Sequence, residues 1–201
     1  MPIKEEKNLD KLPAWAEPTL QGLAFWMGYR QCLFHQHDLP EGALVAEACG
    51  LIQGRLAQEQ RLMCEVGFSS LRRASAGDLT RADLVVYRQR SKKRKKVLEP
   101  EQVIEFKRFK ANRAAIEKDL ERLARVKADS PWIRCFSLVA AESGEPPSWL
   151  KSKDGKARQD RFEIGDRLGK AKVRRICRAM SSTQQKARAT HCVCLIEVLP
   201  F

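Results

Sequence analysis

The strongest constraint on the fold is a long amphipathic helix that lies between two strand-like runs. Residues 111–128, "ANRAAIEKDLERLARVKA", place Ile116, Leu120, Leu123 and Ala124 on one stripe at helical spacing. The flanking runs, "QVIEFKRF" and "WIRCFSLVAAE", have the short apolar or alternating pattern of β-strands. Because a helix that joins two strands of one sheet normally makes a right-handed crossover, the pattern predicts two parallel strands.

The remaining segments predict further elements around this unit. Helices are expected in "EPTLQGLAFWMGYRQCLF" and in "HDLPEGALVAEACGLIQGRLAQEQ", the latter with Asp38 as its cap and Pro40 in its first turn. "RLMCEVGFSS" and "ADLVVYRQR" predict strands that form an antiparallel meander with "QVIEFKRF", and "HCVCLIEVLP" predicts a fifth strand. We predict loops in "SKKRKKVLEPE" and over residues 143–161, and a partly helical segment in "GDRLGKAKVRRICRAMSSTQQKARAT".

This order of elements predicts a three-layer α/β fold with a central mixed sheet. We divide the chain into an N-terminal helical extension (1–38), a core (39–142) and a basic insertion with a final strand that belongs to the same domain (143–201). A chain of 201 residues is long enough to bury a substantial core.

The net charge of +13 favours a polyanionic partner, chiefly nucleic acid. The excess lies in the middle and the C-terminal part of the chain, and all but two residues of "RQRSKKRKK" are basic. We predict that this run and two smaller groups contact phosphate, whereas a solvated loop or a localisation tag is the alternative interpretation of the run. The predicted nucleic-acid-binding residues are Arg88, Arg90, Lys92, Lys93, Arg94, Lys95, Lys96, Arg108, Lys110, Lys172, Arg174 and Arg175.

Seven cysteines, an odd number, and the lack of a recognisable signal peptide predict reduced thiols in a cytoplasmic protein. The sequence contains no CxxC pair, which argues against a zinc site. No apolar run approaches the length needed to cross a membrane, so we expect no membrane partner.

Charged residues on two neighbouring predicted strands suggest a catalytic centre. On a β-strand residues i and i+2 share a face, so Glu105 and Lys107 project together while Ile104 and Phe106 project to the other side. Asp83 begins the preceding strand, and pairing of the two strands would bring its carboxylate beside Glu105. Two adjacent carboxylates repel unless a cation joins them, and Mg²⁺ suits such hard oxygen ligands. The alternative is a half-exposed strand with a wet outer face.

The series Asp83, 21 intervening residues, then Glu105-Phe106-Lys107 resembles the D…(D/E)xK signature of the PD-(D/E)xK, or restriction-endonuclease-like, nuclease superfamily. The order of predicted elements over about residues 40–141 is similar to the αβββαβ core of that superfamily. The resemblance implies Mg²⁺-dependent hydrolysis of nucleic acid, most often double-stranded DNA, with Mn²⁺ as a substitute ion. It implies that Asp83 and Glu105 are metal ligands and that Lys107 is a base or a charge stabiliser. Ala82 departs from the proline of the family's motif.

Many members of the superfamily place a further acid on the first core helix. Glu47 resembles that acid and is the predicted fourth catalytic residue and third metal ligand, with Glu59 and Glu65 as alternatives. Lys118 and Asp119 follow on the later helix, where we expect ordinary solvated charge.

Two other functions remain open at this point. The chain could keep this fold and bind nucleic acid or assemble with other proteins without cutting, or it could be a basic RNA-associated factor. A homodimer through the aromatic first helix, or a multiprotein complex, is also compatible with the pattern.

Overall fold

The structure is a computed structural model that describes residues 11–34, 39–71, 80–92, 95–109, 113–142, 144–183 and 186–200. Its helices are α1 (Ala16–Leu33), α2 (Glu41–Gln53), α3 (Phe68–Leu71) and α4 (Arg113–Asp129), with a 3₁₀ turn at Ser148–Leu150. Its strands are β1 (Gln60–Gly67), β2 (Arg81–Lys92), β3 (Lys95–Arg108), β4 (Arg134–Ala141), β5 (Phe162–Ile164), β6 (Gly169–Thr183) and β7 (Lys186–Leu199).

The described strands form one mixed sheet in the order β1-β2-β3-β4-β7-β6-β5. Strands β1, β2 and β3 pair antiparallel, which confirms the predicted meander. Strands β3 and β4 pair parallel and are joined by α4, as the helix between two strands predicted. The pairs β4–β7, β7–β6 and β6–β5 are antiparallel.

Helices cover both faces of the sheet, and this arrangement confirms the mixed three-layer α/β prediction. On one face α1 and α2 pack against strand residues that include Ile104 and Phe136. On the other face α4 packs against residues that include Val103 and Cys135. Strand β3 is therefore buried on both sides from Gln102 to Phe106, and the alternative interpretation of a half-exposed strand with a wet outer face does not hold there.

In two basic segments the predicted secondary structure is wrong: one was predicted to be a loop and the other to be partly helical, and both form strands. The segment from Lys95 to Pro100 belongs to β3, and a register shift in β2 between Val86 and Tyr87 accommodates Pro100, which pairs with Tyr87. The segment predicted to be partly helical forms β6, a strand that pairs along most of its length with β7. With the short β5, the described sheet has seven strands where five were predicted.

Strands β2 and β3 extend beyond their other neighbours as a two-stranded ribbon. Strand β1 pairs with β2 only as far as Arg88, and β4 pairs with β3 only from Gln102 onward. The residues of β2 after Arg88 pair with the residues of β3 before Gln102, and the last pair is Lys92 and Lys95. The predicted helix cap, Asp38, lies outside the described residues, and α2 begins after Pro40.

Candidate active site

Strand pairing brings Asp83 and Glu105 together. Leu84 pairs with Ile104, so the next step of the antiparallel register places Asp83 across from Glu105. The backbone N–H of Phe106 donates a hydrogen bond of 2.6 Å to Oδ2 of Asp83. This bond fixes the Asp83 side chain against the strand that carries Glu105.

Glu105 is buried in a position with little charge compensation. Its exposed fraction is 2%, and its Oε1 has no hydrogen-bond donor among the described residues. Burial raises the pKa of Glu105 to about 9, the negative charge of Asp83 adds to the rise, and Arg122 opposes it from 3.7 Å. The carboxyl group therefore holds a proton at neutral pH unless a cation replaces that proton.

Lys107 lies near two other acids. Its Nζ is 3.4 Å from Oε1 of Glu41 and 3.7 Å from Oδ2 of Asp119. Desolvation lowers the pKa of Lys107, but the charges of Asp119 and Glu41 outweigh that effect, and the pKa is raised above its ordinary value. Lys107 is consequently a positively charged ammonium group across the neutral pH range.

Helix α4 contributes two residues whose roles the sequence did not reveal. Asp119 is only 3% exposed, so the expectation of a solvated charge there is wrong, whereas Lys118 is exposed as expected. Burial raises the pKa of Asp119, and Lys107 and Arg122 oppose the rise. Arg122 contacts both Asp119 and Glu105. The available signal was spacing, since Asp119 stands three residues after the buried Ile116.

The acid of α2 that reaches this group is Glu41. Its Oε2 accepts a hydrogen bond of 2.9 Å from the backbone N–H of Arg108, in addition to the contact of Oε1 with Lys107. Glu47 is partly buried further along α2, and among the described residues no hydrogen bond or ion pair joins it to Asp83, Glu105 or Lys107. The role of Glu47 stays a prediction.

Strand β1 has an unusual backbone beside Asp83. Cys64 pairs with Leu84 and Val66 pairs with Ala82, so Glu65 stands at the same step of the sheet as Asp83. Glu65 has a φ of 54°, in the left-handed region that costs a residue with a side chain on the order of 1 kcal/mol. Backbone strain of this kind is concentrated near functional sites, and here it adjoins the carboxylate pair.

The carboxylate pair fits a divalent cation as a two-residue site. Among the described residues, no three or more His, Cys, Asp and Glu side chains are grouped in a way that could hold a metal ion. Asp83 and Glu105 nevertheless offer two hard oxygen donors, one of them the buried Oε1 without a donor. Mg²⁺ commonly takes one or two protein carboxylates and completes its shell with water and phosphate oxygens.

The predicted nucleic-acid-binding residues differ in their surroundings. Lys95 and Lys96 are exposed on the β2–β3 ribbon, and Arg90 is exposed and forms an ion pair of 3.0 Å with Glu99. Other cations lie in ion pairs: Arg88 with Glu59 and Glu101, Arg108 with Glu142, Arg174 with Glu197 and Arg175 with Glu17. Lys172 is partly buried on β6. Lys93, Arg94, Lys110 and the side chain of Lys92 lie outside what the structure describes.

No family model, curated protein or solved structure matches this chain. In the described part of the chain, no helix combines the length and apolar character that crossing a bilayer requires.

Proposed function

We propose that the protein is a Mg²⁺-dependent nuclease of PD-(D/E)xK type and that its substrate is the phosphodiester backbone of DNA. The observation that carries this proposal is the position of Asp83 across from Glu105 on adjacent strands, one step beyond the pair Leu84 and Ile104, where the buried Glu105 has a pKa raised to about 9. Structural carboxylates are normally paired with cations, so a buried acid placed against another acid is a candidate for metal binding or catalysis.

The order of elements supports the same assignment. Helix α2, strands β1 to β3, helix α4 and strand β4 follow one another with an antiparallel meander and a parallel last strand. This order is similar to the αβββαβ core of the superfamily. The motif residues Asp83, Glu105 and Lys107 lie on the second and third of these strands, as the resemblance implies.

Each residue of the group has a distinct task in this proposal. Asp83 and Glu105 would hold Mg²⁺, which when bound polarises the scissile phosphate and acidifies a water molecule. Lys107 is an ammonium group because Asp119 and Glu41 stabilise its charge, so it acts as a stabiliser of negative charge on the phosphate rather than as a base. Arg122 orients Asp119 and reduces repulsion at Glu105.

The charge of the protein supports a polyanionic substrate. The net charge of +13 provides long-range attraction, and Lys95 and Lys96 present exposed ammonium groups on a ribbon that continues the two strands bearing the candidate site. Such contacts are made to phosphate and are independent of sequence.

The direct test is incubation of the purified chain with plasmid DNA in Mg²⁺, in Mn²⁺ and in EDTA. Wild-type protein should degrade the plasmid only with a divalent cation, and Asp83→Asn and Lys107→Ala should each lose activity by about 100-fold or more. Matched controls are Glu163→Gln and Lys156→Ala, which change an exposed acid and an exposed lysine elsewhere and should cut as the wild type does.

Binding measured in parallel separates the possible results. If all variants bind DNA equally and none cuts DNA or RNA with either cation, the chain is a binding or assembly protein and the nuclease proposal is wrong. Cleavage of RNA alone would keep the proposed chemistry and change the substrate.

A further inference from the structure

A cavity of about 520 Å³ lies on the other side of the sheet from the candidate active site. Its walls include the segment before α1, Arg55 after α2, and Gln102 near the middle of β3. Gln102 shares its side of β3 with Ile104 and Phe106, which face α1 and α2, whereas Glu105 contacts α4. The cavity is thus a separate site of a size that suits a small ligand.

The cavity is lined by four basic side chains and a single acid, Glu101. Two of the basic side chains are compensated: Arg88 donates two hydrogen bonds to Glu101, of 3.0 and 2.7 Å, and Arg134 forms an ion pair of 2.7 Å with Glu197. The other two are Lys11 and Arg55, both exposed, and in the described ranges no carboxylate forms an ion pair with either of them. Within the described residues, the positive charge of this cavity that no carboxylate balances is therefore at Lys11 and Arg55.

An exposed tryptophan lies at the same cavity. Trp132, in the connection between α4 and β4, is 55% exposed, which is unusual for so large an apolar ring. Trp15 lies deeper in the wall, is buried, and donates a hydrogen bond of 2.7 Å to Oε1 of Gln102. An exposed indole beside cations that form no ion pair among the described residues can bind an aromatic base by stacking and a phosphate by charge.

We propose that this cavity binds a nucleotide, with its base against Trp132 and its phosphate between Lys11 and Arg55. The ligand is a nucleoside monophosphate unit, either free or at the end of a nucleic-acid strand. The proposal is independent of cleavage, because none of these residues touches Asp83, Glu105 or Lys107 and the site needs no metal ion.

Isothermal titration calorimetry of the full chain in EDTA tests the proposal. AMP is the probe, and adenosine and inorganic phosphate are its two halves. We expect AMP to bind at least about tenfold more tightly than either half, since both the ring and the charge contribute. Trp132→Ala and Arg55→Glu should each weaken AMP binding by about tenfold or more, whereas Lys153→Glu, which changes an exposed cation elsewhere on the surface, should leave it unchanged.

A second measurement distinguishes the two sources of the nucleotide. The non-cleaving Asp83→Asn variant is titrated in EDTA with a short single strand that carries either a 5′-phosphate or a 5′-hydroxyl. A preference for the phosphorylated end that Arg55→Glu abolishes identifies a strand terminus, and tight AMP binding without that preference identifies a free nucleotide. If Trp132→Ala and Arg55→Glu change neither AMP nor strand binding, or if phosphate alone binds as well as AMP, the proposal is wrong. Because Asp83→Asn keeps this site, failure here is separable from failure of the nuclease proposal.

Discussion

Two buried glutamates, Glu197 on β7 and Glu105 on β3, have the same 2% exposure and opposite surroundings. The carboxylate of Glu197 lies 2.7 Å from Nη2 of Arg134 and 3.2 Å from Nη1 of Arg174, so two guanidinium groups compensate one acid. Glu105 faces the carboxylate of Asp83, and its guanidinium neighbour, Arg122, is 3.7 Å away.

The difference separates a structural charge from a candidate functional one. A buried charge is tolerated when ion pairs replace its hydration, and this condition holds at Glu197. At Glu105 the missing compensation is supplied by a proton in the free protein or, in our proposal, by a divalent cation. The same substitution, Glu to Gln, should therefore have opposite effects on stability at the two positions.

The largest expected effect is the loss of stability in Glu197→Gln. A neutral amide removes the counter-charge that Glu197 provides to the partly buried guanidinium groups of Arg134 and Arg174, and this should lower the free energy of unfolding by about 3–5 kcal/mol. Urea denaturation followed by circular dichroism measures the change. Glu163→Gln, at an exposed acid, should change the free energy by less than about 0.5 kcal/mol. If Glu197→Gln lowers the free energy of unfolding by less than about 1 kcal/mol, the proposed difference between Glu197 and Glu105 is wrong.

The next effect is a gain of stability in Glu105→Gln that depends on pH. The pKa of Glu105 is raised from its ordinary value of 4.5 to about 9, so between these values the folded protein retains a proton that the unfolded chain releases. The free energy of unfolding of the wild type in EDTA should therefore fall as pH rises through this range. Glu105→Gln should lack this contribution and exceed the wild type by about 3 kcal/mol at pH 7. Parallel pH profiles for the two proteins would contradict the assigned pKa.

A smaller effect is expected from a divalent cation. Because the cation displaces the proton of Glu105, Mn²⁺ should raise the thermal midpoint at pH 8 more than at pH 6. At 100 times the dissociation constant the stabilisation is about 2.7 kcal/mol. Differential scanning calorimetry should show the rise in the wild type and also in the less stable Glu197→Gln, but not in Glu105→Gln. An equal rise in Glu105→Gln would place the cation elsewhere.

The smallest effect concerns exposed cations. Lys95 and Lys96 are exposed, whereas Arg174 is held by Glu197. The double variant Lys95→Gln/Lys96→Gln should weaken DNA binding by about tenfold or less and reduce the salt dependence by about two ions, with unchanged stability. Fluorescence anisotropy at several salt concentrations measures both quantities. An unchanged salt slope would show that the ribbon does not contact phosphate.

The elements around the candidate site could be predicted from the sequence because their apolar residues recur at regular helical or strand spacing. The stripe of α4 and the alternation in β2 and β3 were sufficient to place Asp83 beside Glu105. The pattern of β6 misled the prediction, because its register shifts between Val173 and Arg175 and interrupts the alternation of apolar residues. Basic residues on β3 were taken for a loop, although a strand with one neighbour can carry charge on both faces.

Contacts that depend on how the elements pack in three dimensions could not be predicted from local sequence patterns. Glu41 reaches Lys107 because the start of α2 lies against the end of β3, and Asp119 is buried because α4 lies on that strand. Glu41 is not distinguished by residue type or local period, because the helix dipole alone explains an acid in the first turn of α2. For Asp119 the spacing from Ile116 indicates burial, but it does not indicate the contact with Lys107.

The β2–β3 ribbon has a consequence for how the sheet opens. Beyond Gln89 of β2 and Gln102 of β3 the two strands pair only with each other among the described strands, and a hairpin without a third strand is marginally stable in water. Its backbone amides should therefore exchange their hydrogens with deuterated solvent well before those of the central strands, and a bound polyanion should slow that exchange from the tip inward.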